Sequence, residues 1–210
     1  FDPVLKDGRI YARGSSDDKG PTLAAYYALK IIKDLGLPVD KRVRVIIGTD
    51  EETSWKCMDH YFKHAEMPDL GFSPDADFPI INGEKGNVSV KLIFDGEQNG
   101  PVKLVKFDSG LRANMVPQDA EATLLVEEPE EISEQFEAFL ADQPVKGTFE
   151  IDGKELKLHV IGKAAHGSTP EVGVNAATYL AVFLDNLKLS GYAAEFVQVT
   201  SEILHEDPEG

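Results

Sequence analysis

The first 82 residues carry hydrophobic patterns typical of alternating helices and strands. After Pro21, apolar residues recur three and four positions apart, which predicts an amphipathic helix that ends near Gly36. The apolar positions of this helix are Leu23, Ala24, Tyr27, Ala28, Ile31, Ile32 and Leu35. A proline at the start is compatible with this prediction, because the first turn of a helix does not need its backbone N–H.

Two strands and a second helix are predicted in the same region. Residues 42–49 form a short β-branched run typical of a buried parallel strand, and residues 78–81 form another apolar run. Between them, Thr53 or Ser54 is expected to cap a helix. This alternation predicts an α/β domain over residues 1–82.

From residue 83 the pattern changes. Alternating apolar and polar residues predict strands over 88–94, 102–107, 120–126, 145–151 and 156–162. Two helices are predicted, one over residues 129–140 and one from Pro170 to about residue 187. We interpret residues 83–210 as a second domain of the α+β class.

Carboxylates on short turns are the most informative chemical feature of the chain. Asp17 lies in a loop rich in glycine and serine, and Glu51 and Glu52 directly follow the first predicted strand. Asp75 lies in a proline-bounded loop before the second strand. Like charges held together resist ionisation, so a fold that gathers carboxylates usually neutralises them with a cation. The sequence therefore predicts a metal site.

Each acidic residue also has a simpler interpretation. Asp17 and Asp18 could cap the helix that follows them. The adjacent glutamates could form a solvated acidic turn, and Asp75 could be a turn former. These alternatives stay open at the level of single motifs.

Two polar residues of the second domain are further candidates. His166 lies on a loop among glycine and small residues, where an imidazole could stabilise a developing oxyanion or could be an ordinary surface histidine. Asn114, in the segment 110–117, is by default a turn residue.

Composition and charge narrow the possible partners. The chain has 37 Asp and Glu against 21 Lys and Arg, a net charge of −16 that would repel nucleic-acid phosphates and anionic lipids. No apolar run approaches the roughly 20 residues that span a bilayer. The single cysteine, Cys57, excludes an internal disulfide and fits a reducing cytoplasm.

Taken in order, the motifs resemble the PepV-type dipeptidases. These belong to the dinuclear zinc exopeptidases, which include carnosinases, aminoacylases and succinyl-diaminopimelate desuccinylase. The resemblance is carried by residues 1–21, 48–53, 72–78 and 164–171 and extends over essentially the whole chain. It implies a catalytic α/β domain with a mixed sheet and helices on both faces, and an α+β lid domain.

The resemblance also implies a role for each candidate. Asp17 would bridge two Zn²⁺ ions, Glu52 would bind one and Asp75 the other, with Mn²⁺ or Co²⁺ as possible substitutes. Glu51 would be the general base that acts on the bridging water. His166 and Asn114 would contact the substrate near its scissile carbonyl. The Asp17–Asp18 peptide would be cis.

Two histidine ligands of the family pattern have no counterpart in these 210 residues. One is expected before Phe1, in a His-x-Asp motif, and the other well beyond Gly210, so we expect the chain to be the middle of a longer protein. Three carboxylates without imidazoles favour weak binding of Mg²⁺, Mn²⁺ or Ca²⁺ over a tight zinc pair. We therefore expect little peptidase activity from the segment alone.

For the longer protein the resemblance implies hydrolysis of dipeptides with a free amino terminus. The alternatives are a deacylase for N-acyl amino acids or succinyl-diaminopimelate, and a non-catalytic acidic module. The PepV branch also implies a monomer rather than a dimer joined through the lid.

Overall fold

The computed structural model describes residues 2–76 and 79–206. Its coordinates divide into two compact units, Phe1–Glu84 and Lys85–Gly210. Helices and strands occur in both, so the chain is a mixed α and β protein. Each unit is described by itself below, as the first and the second unit.

The first unit opens with an antiparallel hairpin. Strand β1 (Val4–Lys6) pairs with β2 (Arg9–Tyr11), with Leu5 opposite Ile10. The two residues of the turn, Asp7 and Gly8, have φ angles of 52° and 73°. A two-residue turn with positive φ at both positions matches the twist of the flanking strands, which is why an Asp-Gly pair stands here.

Two helices follow the hairpin. Helix α1 (Lys19–Asp34) confirms the helix predicted after Pro21, and Leu35 follows it as the C-terminal cap. Helix α2 (Lys56–Phe62) confirms the second prediction, although its cap differs. Neither helix buries a residue, and no other described residue of the first unit is buried either.

The strands predicted in the first unit are not formed. Residues 42–49, all of which are described, adopt no strand, and Ile47 is 71% exposed. Of the predicted strand 78–81, residue 78 lies outside the described residues, and 79–81 form no strand. A strand exists only when a neighbour accepts and donates its backbone hydrogen bonds. Both runs are rich in apolar residues, but their described residues pair with no strand in the part of the chain that the structure describes.

The second unit is built on a four-stranded antiparallel sheet with the order β3-β5-β7-β6. Its strands are β3 (Lys103–Ser109), β5 (Asp119–Leu125), β6 (Lys146–Asp152) and β7 (Glu155–Ile161). These positions confirm four of the five strands predicted after residue 83. A further short pair, β4 (Met115–Val116) and β8 (Ala165–His166), was not predicted.

One hydrophobic core holds the second unit together. Alternate residues of β5 and β7, such as Leu124 and Leu158, are fully buried, as the period of two along a strand requires. Helix α3 (Pro129–Ala141) packs on β6 and β7, and helix α4 (Ala176–Asp185) packs on β5 and β7.

Two predictions for the second unit were wrong or incomplete, and two helical segments were not predicted. Residues 88–94 form no strand, and Val88 is 84% exposed. The helix predicted from Pro170 is interrupted: a 3₁₀ turn, Pro170–Val172, precedes α4, because the Asn175 side chain accepts the N–H groups of Ala177 and Thr178 and starts a new helix. Helix α5 (Tyr192–Gln198) and the π-helical turn Val199–Ile203 were not predicted.

Candidate active site

The loop that carries Asp17 is held in shape by its own backbone. Lys19 N donates to Gly14 O at 2.9 Å, and Lys19 Nζ donates to Arg13 O at 2.8 Å. Gly14 has a φ of 70°, in the left-handed region that favours glycine. The Asp17–Asp18 peptide is cis, the geometry that the resemblance implied.

Asp18 rather than Asp17 takes the N-cap position of α1, but its side chain makes no capping hydrogen bond to the helix backbone. Asp18 is the residue before the first turn of α1, and its Oδ2 accepts the hydroxyl of Thr22 at 3.2 Å. Asp17 lies one residue earlier, with an exposed side chain. Asp18 Oδ1 is buried and has no hydrogen-bond partner among the described residues.

The two glutamates lie in a turn organised by Asp50. Its Oδ2 accepts the N–H of Lys56 at 2.9 Å and the hydroxyl of Ser54 at 3.3 Å, and its Oδ1 accepts the hydroxyl of Thr53. The carboxylate of Asp50 therefore caps helix α2, while Trp55 takes the cap position in a left-handed conformation without a side-chain bond. The predicted caps, Thr53 and Ser54, donate to Asp50 instead.

The carboxyl groups of the first unit affect one another. Partial desolvation raises the pKa of Glu51 above its ordinary value, although the residue is exposed, and the negative charges of Glu52, Asp75 and Asp17 raise it further. The pKa of Asp75 is raised too, first by partial desolvation and then by Asp18, Asp17 and Glu52. Repulsion of this kind falls off with distance, so the structure brings these carboxyl groups into one neighbourhood although they are far apart in the sequence.

Carboxylates are suitable ligand types for a divalent cation, and a positive charge would relieve the repulsion that raises both pKa values. Within the described ranges, however, no three His, Cys, Asp or Glu side chains converge closely enough to hold a metal ion. Carboxylate oxygens are hard ligands, which suit Mg²⁺, Mn²⁺ and Ca²⁺ as well as zinc.

The second unit brings its two candidate residues together on the short sheet of β4 and β8. Met115 pairs with His166, and Gly167 N donates to Asn114 O at 2.7 Å. A Cβ on Gly167 would come within 3.1 Å of that same carbonyl oxygen, so a side chain there would crowd the contact. Asn114 and His166 are therefore neighbours through main-chain pairing.

His166 is exposed, and its ring is fixed from one side. Ser168 N donates to His166 Nδ1 at 3.1 Å, and Ser168 Oγ lies 2.7 Å from the same nitrogen. The loop is closed further by Thr169 N, which donates to His166 O at 3.0 Å.

Sequence reasoning missed two of the residues that shape these sites. Asp50 is not among the sequence-based candidates, although the hydroxyl residues three and four positions after it are a recognisable capping signal. Ser168 is not among them either. A serine two residues after a histidine can bond back to its ring, but that signal is weak without coordinates.

Comparison with known proteins places the chain in a family. The family model described as peptidase family M20/M25/M40 matches residues 1–202. The chain therefore belongs to this peptidase family, which confirms the resemblance drawn from the motifs.

Two curated relatives give the comparison more detail. The chain is similar to "Putative dipeptidase YtjP" of Bacillus subtilis (strain 168), with 48% identity over 213 residues that cover 100% of this chain and 46% of the relative. It is also similar to "Putative dipeptidase SH1171" of Staphylococcus haemolyticus, with 46% identity over 211 residues that cover 98% of this chain and 45% of the relative. The chain thus spans less than half the length of these relatives.

Among the described residues, no helix is both long enough and apolar enough to cross a membrane.

Proposed function

We propose that the full-length protein containing this chain is a metal-dependent dipeptidase. The observation that carries the proposal is the group of mutually repelling carboxyl groups formed by Asp17, Glu51, Glu52 and Asp75 in a chain of a peptidase family. Both relatives named above carry the word dipeptidase in their names.

In this proposal Asp17, Glu52 and Asp75 would help to hold two divalent cations. The cations are zinc, with Mn²⁺ or Co²⁺ as substitutes, and two histidine ligands come from elsewhere in the full-length protein. Such cations polarise a peptide carbonyl and lower the pKa of water. Desolvation and then the charges of Asp18, Asp17 and Glu52 raise the pKa of Asp75, and a divalent cation would relieve the repulsive part of that shift.

Glu51 is the general base. Its raised pKa brings the carboxyl group closer to neutral pH, where a base that accepts a proton and then returns it is most effective. Glu51 lies in the turn that the Asp50 carboxylate organises, and this supports a defined backbone conformation for Glu51 and Glu52.

His166 and Asn114 bind the substrate near its scissile carbonyl. A ring nitrogen of His166 donates a hydrogen bond to the carbonyl oxygen as negative charge develops there. The main-chain contact between Gly167 and Asn114 supports their joint action, because it holds Asn114 next to the end of the strand that carries His166.

The fold assignment follows the same proposal. The first unit is part of a catalytic α/β domain with a mixed sheet and helices on both faces, and the second unit is part of an α+β lid domain. The full-length protein is a cytoplasmic monomer, an assignment that the single cysteine and the PepV-type motifs support. Its substrates are small dipeptides rather than nucleic acid or membrane, in keeping with the net charge of −16.

Substrate choice tests the reaction. The full-length protein, loaded with Zn²⁺ or Mn²⁺, is assayed in parallel on dipeptides, on the same dipeptides with an acetylated amino terminus, and on N-acetyl amino acids. We expect hydrolysis of the free dipeptides alone. Preferred hydrolysis of N-acetyl amino acids would replace the dipeptidase by the deacylase alternative.

Metal content tests the site. Elemental analysis of the 210-residue chain after dialysis against Zn²⁺ should give fewer than two equivalents, because the proposed histidine ligands are not part of it. The full-length protein should hold two equivalents. Two equivalents in the short chain would contradict the proposed ligand set.

A further inference from the structure

The loop after β8 fixes which nitrogen of His166 carries the proton. A backbone N–H can only donate, so the 3.1 Å contact from Ser168 N makes His166 Nδ1 an acceptor. The Ser168 hydroxyl lies 2.7 Å from the same nitrogen. Because Nδ1 is an acceptor, the hydroxyl donates its proton to it as well. In the neutral ring the proton must then lie on Nε2.

Both contacts from Ser168 are made at Nδ1, on one side of the ring, and the side chain is exposed. The nitrogen left to bind a substrate is therefore the one that bears the proton. A developing oxyanion needs a donor, and the opposite tautomer would present a lone pair to it instead.

We propose that Ser168 is a positioning residue that holds His166 with its proton on Nε2, so that the ring donates to the oxyanion formed during peptide hydrolysis. The inference deepens the proposed function, because it depends on the role of His166 given there. Ser168 acts through His166 and need not touch the substrate.

Other hydrogen bonds of the loop also hold Ser168 in place next to the His166 ring. Thr169 N donates to His166 O at 3.0 Å, and Lys85 Nζ donates to Ser168 O. These bonds hold the backbone on both sides of the serine within the same unit. The hydroxyl of Ser168 therefore meets Nδ1 without having to order a loose segment, which keeps the entropic cost of the contact small.

The neighbouring residue provides a matched control. Thr169 also bears a hydroxyl, and it takes the cap position before the 3₁₀ turn Pro170–Val172 without a side-chain capping bond. Ser168→Ala and Thr169→Ala therefore remove one hydroxyl each from adjacent positions, but only the first removes a partner of the ring. Ser168→Thr keeps the hydroxyl and serves as the conservative variant.

The experiment uses the full-length protein labelled with ¹⁵N-histidine. Long-range ¹H–¹⁵N spectra report which ring nitrogen is protonated, and the His166→Gln variant identifies the signals of His166. We expect the Nε2 proton in the wild type and its retention in Ser168→Thr and Thr169→Ala. In Ser168→Ala the backbone N–H still donates to Nδ1, so we expect a reduced preference for this tautomer rather than its complete loss.

Kinetics on a dipeptide provides the second readout. We expect kcat of Ser168→Ala to fall about tenfold with little change in KM, because the lost contact matters most when the oxyanion forms. Ser168→Thr should recover most of that loss, and Thr169→Ala should match the wild type.

Two results would overturn the inference: a wild-type ring protonated on Nδ1, or a Ser168→Ala variant with the wild-type tautomer and wild-type kcat. A wild type with the Nε2 proton but no hydrolysis of dipeptides would instead reject the proposed function, while the role of Ser168 in fixing the ring would stand.

Discussion

The two units of this chain differ in what holds them together. The second unit buries a contiguous apolar core between a four-stranded sheet and its helices, whereas no described residue of the first unit is buried. Yet the first unit holds the carboxyl groups of Asp17, Glu51, Glu52 and Asp75, here called the acidic cluster, and hydrogen bonds order the turns around Asp17 and Glu51. The difference shows that local polar contacts can order short turns where apolar burial contributes little.

The amphipathic helices show the same contrast. Leu180 in α4 is 0% exposed, whereas Leu23 in α1 is 53% exposed, although both belong to helices with an apolar face. Burying a leucine side chain contributes about 2 kcal/mol or more to stability, so the same residue type stabilises the two units very differently.

The largest expected effect is on kcat and concerns Glu51 of the first unit. In the full-length protein, Glu51→Gln should lower kcat by about 10²–10⁴-fold, because an amide cannot accept the proton of the attacking water. The bound metal should remain, since Glu51 is not a proposed ligand. Steady-state kinetics and elemental analysis measure the two quantities.

Glu66→Gln is the matched control for that variant. Glu66 lies in the same unit and pairs with Arg42 on the surface, outside the acidic cluster. Its replacement should leave kcat at the wild-type level. Turnover that survives Glu51→Gln would refute the role of Glu51 as the base.

The next effect is on the free energy of unfolding and compares one leucine from each unit. In the 210-residue chain, Leu180→Ala should lower the free energy of unfolding by about 3 kcal/mol, because it leaves a cavity in the core of the second unit. Leu23→Ala should cost less than about 1 kcal/mol, because that side chain is already half exposed. Chemical denaturation followed by circular dichroism measures both.

The single tryptophan assigns each transition to a unit. Trp55 lies in the first unit, so its fluorescence reports unfolding there. Leu180→Ala should leave the fluorescence transition in place while it shifts the transition seen by circular dichroism. An equal loss in the free energy of unfolding for Leu180→Ala and Leu23→Ala would mean that apolar burial does not distinguish the two units.

The smallest effect concerns pH. The pKa values of Glu51 and Asp75 are raised in the folded chain, so the folded state binds these protons more tightly than the unfolded state. In the metal-free chain their contribution therefore opposes folding when both are ionised, and it is relieved as the pH falls through the raised pKa values. Carboxyl ¹³C titration by NMR should find both values above the ordinary range.

Asp17→Asn sharpens this test. It removes a charge that raises the pKa of both groups, so both values should move down toward the ordinary range. Asp59→Asn, in helix α2, is the control, because Asp59 does not contribute to either shift. Titration curves that Asp17→Asn leaves unchanged would mean that Asp17 is not part of the cluster.

Local sequence patterns determined much of the second unit. Strands such as β5 and β7 and helix α3 lie close to their predicted positions, because period-two and helical patterns report burial on one face, and a partner for that face lies nearby in the sequence. The motifs also determined the family, since several ordered motifs are far more specific than one.

Tertiary structure decided what local pattern could not. The run 42–49 is as apolar as a buried strand, but a strand needs a paired neighbour, and the sequence does not say whether one is present. The shared neighbourhood of Asp17, Glu51 and Asp75 and the bond from Ser168 to His166 likewise arise only in three dimensions. Electrostatic coupling and hydrogen bonding depend on distances in space, which spacing along the chain does not fix.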